Sequence, residues 1–198
     1  NEYWLPGAHT LENDTKVEYT PWCRFYLMRS PTTDYSNAAN FYMVQWVGKT
    51  FAVDIDMNGA SCGCNLNFYL VNMPVQARGR DNDHYCDAQC YPDLGCCAEF
   101  DMMEVNGNAL AVTNHACTHD YPDFPDWQCQ KWGDPRVIVQ GGTFGSSWPR
   151  TIDSRSKFTF SQEFRARGGK FDVITTLYQD GRSVTKRLGS NDQMQAML

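Results

Sequence analysis

Three carboxylates lie within six residues of one another, at Glu99, Asp101 and Glu104. On a β-strand, Glu99 and Asp101 point to the same face because side chains alternate with a period of two. Glu104 is five residues beyond Glu99, so a regular strand turns it to the opposite face. One β-bulge at Met102-Met103 returns it to the face of the other two acids. The spacing predicts either a catalytic cluster or an exposed face of solvated carboxylates.

A cluster of this kind suits the hydrolysis of a glycosidic bond. Retaining glycosidases use a carboxylate nucleophile and a second carboxyl group, about 5–5.5 Å away, that acts first as an acid and then as a base. Repulsion and partial burial keep the acid protonated while the nucleophile stays ionised. A middle carboxyl group can share a hydrogen bond with the nucleophile and set its charge. This chemistry requires no metal ion and no organic cofactor, and we expect neither.

The composition excludes several classes of protein. The chain has 198 residues, of which 42% are hydrophobic and 14% aromatic, and this is too apolar for a disordered chain. No apolar run approaches the roughly 18 residues that a membrane-spanning helix needs. The net charge of −6 and the lack of a Lys/Arg cluster argue against nucleic acid as a partner. We expect one soluble, monomeric domain that spans residues 1–198.

The cysteine content indicates an oxidising compartment. There are nine cysteines, and Cys86, Cys90, Cys96 and Cys97 fall within twelve residues. Such density is typical of disulfides, and structural zinc is disfavoured because no pair of CxxC motifs with downstream histidines is present. Asn13 begins an N-glycosylation sequon. The chain opens without a basic and then apolar leader, so we expect a removed signal peptide and a secreted glycoprotein.

Strand patterns dominate the elements that must position the acids. Apolar residues alternate over Phe51–Met57, and Asn67–Met73 is a mostly apolar run. Phenylalanines recur over Phe158–Phe164, a further strand follows over Phe171–Tyr178, and Asp180-Gly181 is typical of a hairpin turn. These patterns predict an all-β fold, a two-sheet antiparallel sandwich with disulfide-stapled loops.

The middle of the chain has a different composition. Pro74–Asp134 is rich in Gly, Pro, Asp and Cys, and we expect disulfides to hold it where regular strand pairing cannot. Within it, Asp87 and Gln89 alternate with cysteines and are expected to share a face, either on a cleft wall or at an exposed edge. Trp127 and Trp132 are candidates for stacking on sugars, although core packing is the commoner fate of a tryptophan.

Several segments, taken in order, resemble glycoside hydrolase family 7, the fungal retaining cellobiohydrolases and endoglucanases. The resemblance covers about residues 24–184, in a shorter chain than is usual for the family. Its most specific piece is the double cysteine Cys96-Cys97 followed by the ExDxxE pattern. The segments that carry it are Arg24–Met28 with Pro31–Thr33, Thr50–Met57, Cys62–Asn65, Phe68–Met73, Tyr85–Cys90, Cys96–Asn106, Thr113–Cys117 and Phe158–Val184.

The resemblance implies a role for each acid and a jelly-roll, concanavalin-like sandwich. Glu99 is the nucleophile, Asp101 its hydrogen-bonded helper and Glu104 the general acid/base. The resemblance also places five residues in or beside the subsites next to the scissile bond, namely Asn65, Tyr69, Asp87, Gln89 and His115. Judged alone, Tyr69 is more often a core aromatic than a subsite residue, and Asn65 and His115 are also consistent with a turn residue and a loop histidine.

The resemblance further implies three disulfides. They pair Cys86 with Cys97, Cys90 with Cys96, and Cys117 with Cys129. If Cys62 is bridged, its partner is Cys23 or Cys64.

The function implied is that of a secreted enzyme that degrades a β-linked polysaccharide. The loops Cys117–Cys129 and Met73–Tyr85 are short beside those that build the substrate channel in longer members. We therefore expect an open cleft that cuts internal bonds with retention of configuration.

Two alternatives remain open from the residues. Arg78 and Arg80 suit an anionic polymer, and a lyase would remove the proton α to a uronate carboxyl group with Tyr69 and either His115 or His84. The other alternative is a β-glucan-binding module in which catalysis has decayed. A lyase leaves an unsaturated product that absorbs ultraviolet light, a hydrolase releases reducing sugars only, and a binding module generates no new chain ends.

Overall fold

The computed structural model describes residues 8–11, 15–19, 24–30, 32, 34, 37–57, 59–72, 85–90, 96–117, 129–147, 149–168 and 170–189. Nearly all regular structure in these ranges is β-strand. The strands are β1 (Ala8–Leu11), β2 (Lys16–Tyr19), β3 (Thr50–Ile55), β4 (Leu66–Val71), β5 (Glu99–Val105), β6 (Ala109–His115), β7 (Arg136–Gln140), β8 (Phe144–Gly145), β9 (Ile152–Asp153), β10 (Phe158–Arg167), β11 (Lys170–Gln179) and β12 (Arg182–Gly189). Short 3₁₀ helices cover Ala38–Asn40 and Gly141–Thr143. No helix in the described ranges has the length and apolarity to cross a membrane.

One four-stranded antiparallel sheet, here the outer sheet, has the strand order β12-β11-β10-β3. In β3, Phe51, Val53 and Ile55 turn inward while the residues between them are exposed, as the alternation predicts. β11 and β12 are joined by Asp180-Gly181, and both residues have positive φ, 50° and 74°. That backbone matches the two-residue turn whose twist fits a hairpin.

The second four-stranded antiparallel sheet, here the acidic sheet, has the order β4-β5-β6-β7. It contains β5, which carries the three acids, between β4 and β6. The expectation that disulfides replace strand pairing in Pro74–Asp134 holds only for its described flanks, because β5, the strand on which the acid spacing depends, and β6 lie within it as the central strands of this sheet. The strand-forming residues occupy 99–115, and most of the Gly, Pro and Cys content lies in the flanking segments.

The hydrophobic core lies between these two sheets. Aromatic pairs cross the interface, with ring centroids 6.0 Å apart for Phe100 and Phe164 and 5.7 Å apart for Phe51 and Phe68. Fully buried side chains come from both sheets, including Phe160 and Leu110. The predicted fold class, an antiparallel two-sheet sandwich with disulfides, is confirmed.

Candidate active site

The strand that carries the acids contains the β-bulge that brings all three to one face. Against β4, Asp101 pairs with Tyr69 and Met103 with Phe68, so Met102 is the extra residue. Against β6, the register also shifts between Asp101 and Glu104. Both methionines are buried in the core, at 2% and 1% exposure. Because two consecutive side chains point inward, the next one, Glu104, returns to the face of Glu99 and Asp101.

Asp101 and His115 form the buried centre of this face. His115 Nε2 lies 2.9 Å from Asp101 Oδ2, and His115 Nδ1 lies 2.7 Å from the carbonyl oxygen of Gln130. Burial lowers the pKa of His115, but the bonds to Asp101 and to the Gln130 carbonyl outweigh it and raise the pKa above its ordinary value. Since both partners are acceptors, each ring nitrogen donates, and the ring is held as an imidazolium.

Glu99 lies under a loop that the disulfides fasten to the acidic sheet. The backbone N–H of Ala88 donates to Glu99 Oε2 at 3.0 Å. Burial, followed by the charge of Asp101, raises the pKa of Glu99 well above its ordinary value, whereas the Ala88 N–H and the His115 cation lower it. Glu99 therefore holds its proton more readily than an isolated carboxyl group does, and the His115 cation offsets part of the neighbouring Asp101 charge.

Glu104 accepts hydrogen bonds from Thr113 on β6 and from Asn65, the residue just before β4. Asn65 Nδ2 lies 3.5 Å from Oε1, and the Thr113 hydroxyl donates to Oε2 at 3.3 Å. A hydroxyl both donates and accepts, so Thr113 can also accept from the protonated carboxyl group. This partner therefore suits a residue that alternates between acid and base.

Two of the implied subsite residues do not share a face. Asp87 is 3% exposed and accepts from the Tyr85 hydroxyl at 2.6 Å and from the Gln89 backbone N–H at 2.8 Å. The Gln89 side chain is exposed. The expectation of a common face is wrong, because Ala88 and Gln89 form a turn closed by the Asp87 carboxylate rather than an extended strand.

Tyr69 is held in a cluster with Arg24 and Tyr85. Tyr69 pairs with Asp101 in the strand register, so it lies on the sheet face that carries the three acids. The Arg24 guanidinium lies 3.5 Å from the centroid of the Tyr85 ring and is hydrogen-bonded to Tyr69. Burial raises the pKa of Tyr69, and it also raises the pKa of Tyr85 together with the hydrogen bond to Asp87. Both phenols are therefore kept neutral.

The three disulfides join the pairs that the resemblance implies. They are Cys86–Cys97, Cys90–Cys96 and Cys117–Cys129. Cys62 and Cys64 are unbridged within the described ranges, and Cys23 lies outside them. The described residues contain one group with metal-ligand spacing, Cys90, Cys96 and Cys129, and disulfide bonds occupy all three of its sulfurs.

Known proteins share this fold and this order of segments, although no family model matches the chain. Exoglucanase GH7B from Limnoria quadripunctata is 24% identical over 77% of the chain and 45% of its own length. Endoglucanase 1 from Humicola insolens is 29% identical over 73% of the chain and 44% of its length. The solved structure of an endoglucanase I in complex with cellobiose superposes with a TM-score of 0.62, at 25% identity over 79% of the chain and 50% of that structure. The chain is a relative of glycoside hydrolase family 7.

This family 7 relative spans about half the length of the proteins it matches. The described structure brings together Glu99, Asp101, Glu104, Asn65, Tyr69, Asp87 and His115. Trp132 is 81% exposed, with the Lys131 ammonium 5.6 Å from its ring, so it is not a core residue. Trp127, His84, Arg78, Arg80 and the sequon at Asn13 lie outside the described residues.

Sequence reasoning missed several groups that line this candidate site. Thr113 stands two residues before His115 on β6 and therefore on the same face, a signal that the period of two contains. The Gln130 carbonyl and the Ala88 N–H are main-chain groups, so the residue types at these positions do not predict their role. Their contribution depends only on where the loops lie.

Gly133 is the point at which the loop before β7 packs against the site. Its φ is +69°, and a Cβ atom there would lie 2.1 Å from Thr113 Cγ2 and 3.1 Å from His115 Cε1. We expect Gly133→Ala to lower the free energy of unfolding by about 2–4 kcal/mol, from backbone strain and overpacking together. Urea denaturation followed by circular dichroism measures the loss.

Gly141→Ala is the matched control for Gly133→Ala. Its φ is +67°, and nothing lies within 4 Å of the added Cβ atom. It should lose about 1–2 kcal/mol, from backbone strain alone. Equal losses in the two variants would contradict close packing of Gly133 against Thr113 and His115.

Proposed function

We propose that the chain is a retaining β-glycosidase in which Glu99 is the nucleophile, Glu104 the general acid/base and Asp101 a positioning group. The observation that carries the proposal is the β-bulge, which gathers three carboxylates on one sheet face beside a cationic histidine. The similarity to proteins named endoglucanase and exoglucanase supports it. A solvated acidic surface would not bury Asp101 at 4% exposure.

The proposed reaction has two displacements. Glu99 attacks the anomeric carbon while Glu104 gives its proton to the departing glycosidic oxygen, so that a glycosyl ester forms on Glu99 and one bond of the substrate breaks. Glu104 then takes a proton from water, whose oxygen attacks the same carbon and frees Glu99. Two inversions leave the configuration unchanged.

The charge of the Glu99–Asp101 pair is central to this assignment. The raised pKa of Glu99 favours its protonated form in the empty site, whereas a nucleophile must be ionised. The Ala88 N–H and the His115 cation both stabilise the ionised form. Glu99 therefore reacts from its ionised form, which these two groups favour.

Elimination is less favoured than hydrolysis, because His115 and Tyr69 are poorly suited to act as the base that a lyase requires. A lyase base must accept a proton, but both ring nitrogens of His115 already donate to acceptors. A phenolate base needs a lowered pKa, and burial raises the pKa of Tyr69. A decayed binding module is the other alternative, and the complete acid set argues for retained catalysis.

The proposed substrate is a β-linked glucan, cut at internal bonds by a secreted monomer. The loop closed by Cys117–Cys129 spans only twelve positions, which favours an open cleft. The exposed ring of Trp132 offers a face on which a sugar can stack, near the site because its neighbour Gly133 packs against His115. Three disulfides fit an extracellular location.

A substrate panel tests the proposed function. The purified chain is incubated with cellulose, mixed-linkage glucan, xylan, mannan, chitosan and polyuronates. We expect reducing ends from a β-glucan, no new ultraviolet absorbance, a rapid fall in viscosity, and a β-anomer as the first product by NMR. An unsaturated product would establish the lyase, and retention on a glucan gel without new ends would establish the binding module.

The pH profile tests the charge coupling between Asp101 and Glu99. The Asp101 charge raises the pKa of Glu99, so Asp101→Asn should lower that pKa. Because Glu99 must be ionised to attack, the acid limb of kcat/KM against pH should move to lower pH, with a reduced maximum. Asp54→Asn, an exposed change on the outer sheet, is the control and should leave the limb in place. A limb that stays or moves upward in Asp101→Asn would refute the coupling.

A further inference from the structure

A buried glutamine of the outer sheet contacts the bulge of the acidic sheet. Gln162 on β10 has 0% exposure and lies in the core between the sheets. Its Nε2 atom donates to the carbonyl oxygen of Met102 at 3.3 Å and to the Thr175 hydroxyl at 2.9 Å. Its Oε1 atom has no hydrogen-bond partner among the described residues, so the two Nε2 contacts are the polar interactions that position the side chain in the apolar core.

The Met102 carbonyl lies where the bulge interrupts the strand ladder. Met102 pairs with no residue of β4, and neither Met102 nor Met103 pairs with β6. An extra residue in a bulge interrupts the ladder, and buried carbonyls are otherwise almost always satisfied. Gln162 supplies a donor at this interruption from across the core. Thr175, on the adjacent β11, accepts the second N–H and fixes the orientation of the amide.

The bulge lies between the groups whose relative position governs the proposed chemistry. Glu99 and Asp101 precede Met102, and Glu104 follows Met103. A change in the bulge dihedrals would therefore move Glu104 relative to the other two acids. The second donor on Glu104, Thr113, lies on β6 and cannot hold the β5 backbone itself.

We propose that Gln162 is a positioning residue that fixes the bulge of β5 and, through it, the separation of Glu104 from Glu99. This inference rests on the proposed function for its kinetic consequence. It assigns a role in the reaction to a residue that lies on the opposite sheet and touches no substrate.

The test compares Gln162→Met with Leu188→Ala. Methionine keeps a linear side chain of similar length but donates no hydrogen bond, so the fold should persist. Leu188, 2% exposed on the edge strand β12, is the control for a general loss of core stability. We expect Gln162→Met to lower kcat by roughly ten- to a hundredfold, because misplacement of catalytic groups has effects of this size. KM should change little, and Leu188→Ala should keep wild-type kcat while folded.

Gln162→Glu provides a readout that a purely structural role would not move. The introduced carboxyl group can donate to the Met102 carbonyl when it is protonated, whereas its ionised form repels that carbonyl. Burial raises the pKa of such a carboxyl group, so kcat relative to wild type should be highest at low pH and fall as the pH rises. For Leu188→Ala, the ratio of the variant kcat to the wild-type kcat should be independent of pH. Circular dichroism at each pH verifies that the variants are folded during the assay.

Two outcomes would overturn the inference. One is a folded Gln162→Met with wild-type kcat, and the other is a Gln162→Glu ratio that does not depend on pH. If Gln162→Met fails to fold, the Gln162→Glu profile decides alone. If the wild-type chain hydrolyses no polysaccharide, only the proposed function fails, and the inference is then tested by NMR. Amide shifts of Met102, Met103 and Glu104 that stay unchanged in Gln162→Met would refute it.

Discussion

Glu99→Gln is expected to lower turnover on a β-glucan by on the order of ten-thousandfold or more, because an amide cannot form the glycosyl ester. The side chain keeps its shape, and an oxygen can still accept from the Ala88 N–H, so the fold should be retained. Turnover is measured as reducing ends with the purified variant at several times the wild-type concentration. Near wild-type rates would refute the assignment of Glu99 as nucleophile.

The stability of Glu99→Gln provides an independent measurement. The pKa of Glu99 is raised in the folded state, so the folded protein binds more protons and loses stability as the pH rises above the ordinary pKa of a glutamate. Glutamine lacks this titration. The free energy of unfolding of the variant, relative to wild type, should therefore increase with pH between the ordinary pKa of a glutamate and the raised pKa of Glu99, about 8.

Glu163→Gln is the matched control for Glu99→Gln. Glu163 lies on the outer sheet in an ion pair with Arg165, which lowers its pKa, and the side chain is exposed. The same chemical change there should leave turnover at the wild-type level. A comparable loss of turnover in both variants would indicate a general defect rather than the loss of a nucleophile.

The sequence predicts the parts of this site that depend on local geometry. Alternation with a period of two places Glu99 and Asp101 together, and the extra residue of Met102-Met103 restores Glu104 to their face. The same alternation predicts β3, and the turn pair Asp180-Gly181 predicts the β11–β12 hairpin. Each of these follows from the chain itself, without knowledge of which strand lies next to which.

The parts that the sequence does not predict depend on contacts between distant residues. Alternation places Asp87 and Gln89 on one face, but the disulfide Cys86–Cys97 folds their segment into a turn over Glu99. The imidazolium state of His115 requires the Gln130 carbonyl, fifteen positions away. In the sequence, Gln162 has no feature that distinguishes it from other polar residues, and only the packing of the two sheets places it against Met102.

Glu104→Gln is expected to lower the hydrolysis of substrates with poor leaving groups by roughly a hundred- to ten-thousandfold, because the departing oxygen loses its proton donor. Aryl glycosides with acidic phenols, such as 2,4-dinitrophenyl cellobioside, need no protonation and should still form the glycosyl ester on Glu99 rapidly. Asn65 can still donate to the amide oxygen, and the Thr113 hydroxyl can accept from the amide N–H instead of donating, so the fold should be retained. Rates against leaving-group pKa measure the effect, and a uniform loss would contradict the role.

Azide distinguishes the proposed roles of Glu104 and Glu99 from the reverse assignment. In Glu104→Gln, breakdown of the glycosyl ester lacks a base, but the azide anion needs none and attacks the anomeric carbon directly. We expect azide to restore the rate with activated substrates and to give a β-glycosyl azide, with Glu99 released as a carboxylate. The raised pKa of Glu99 makes the reverse assignment chemically reasonable, and under it the β-azide would come from Glu99→Gln instead. Formation of the β-azide by that variant alone would exchange the two roles while leaving retaining hydrolysis intact.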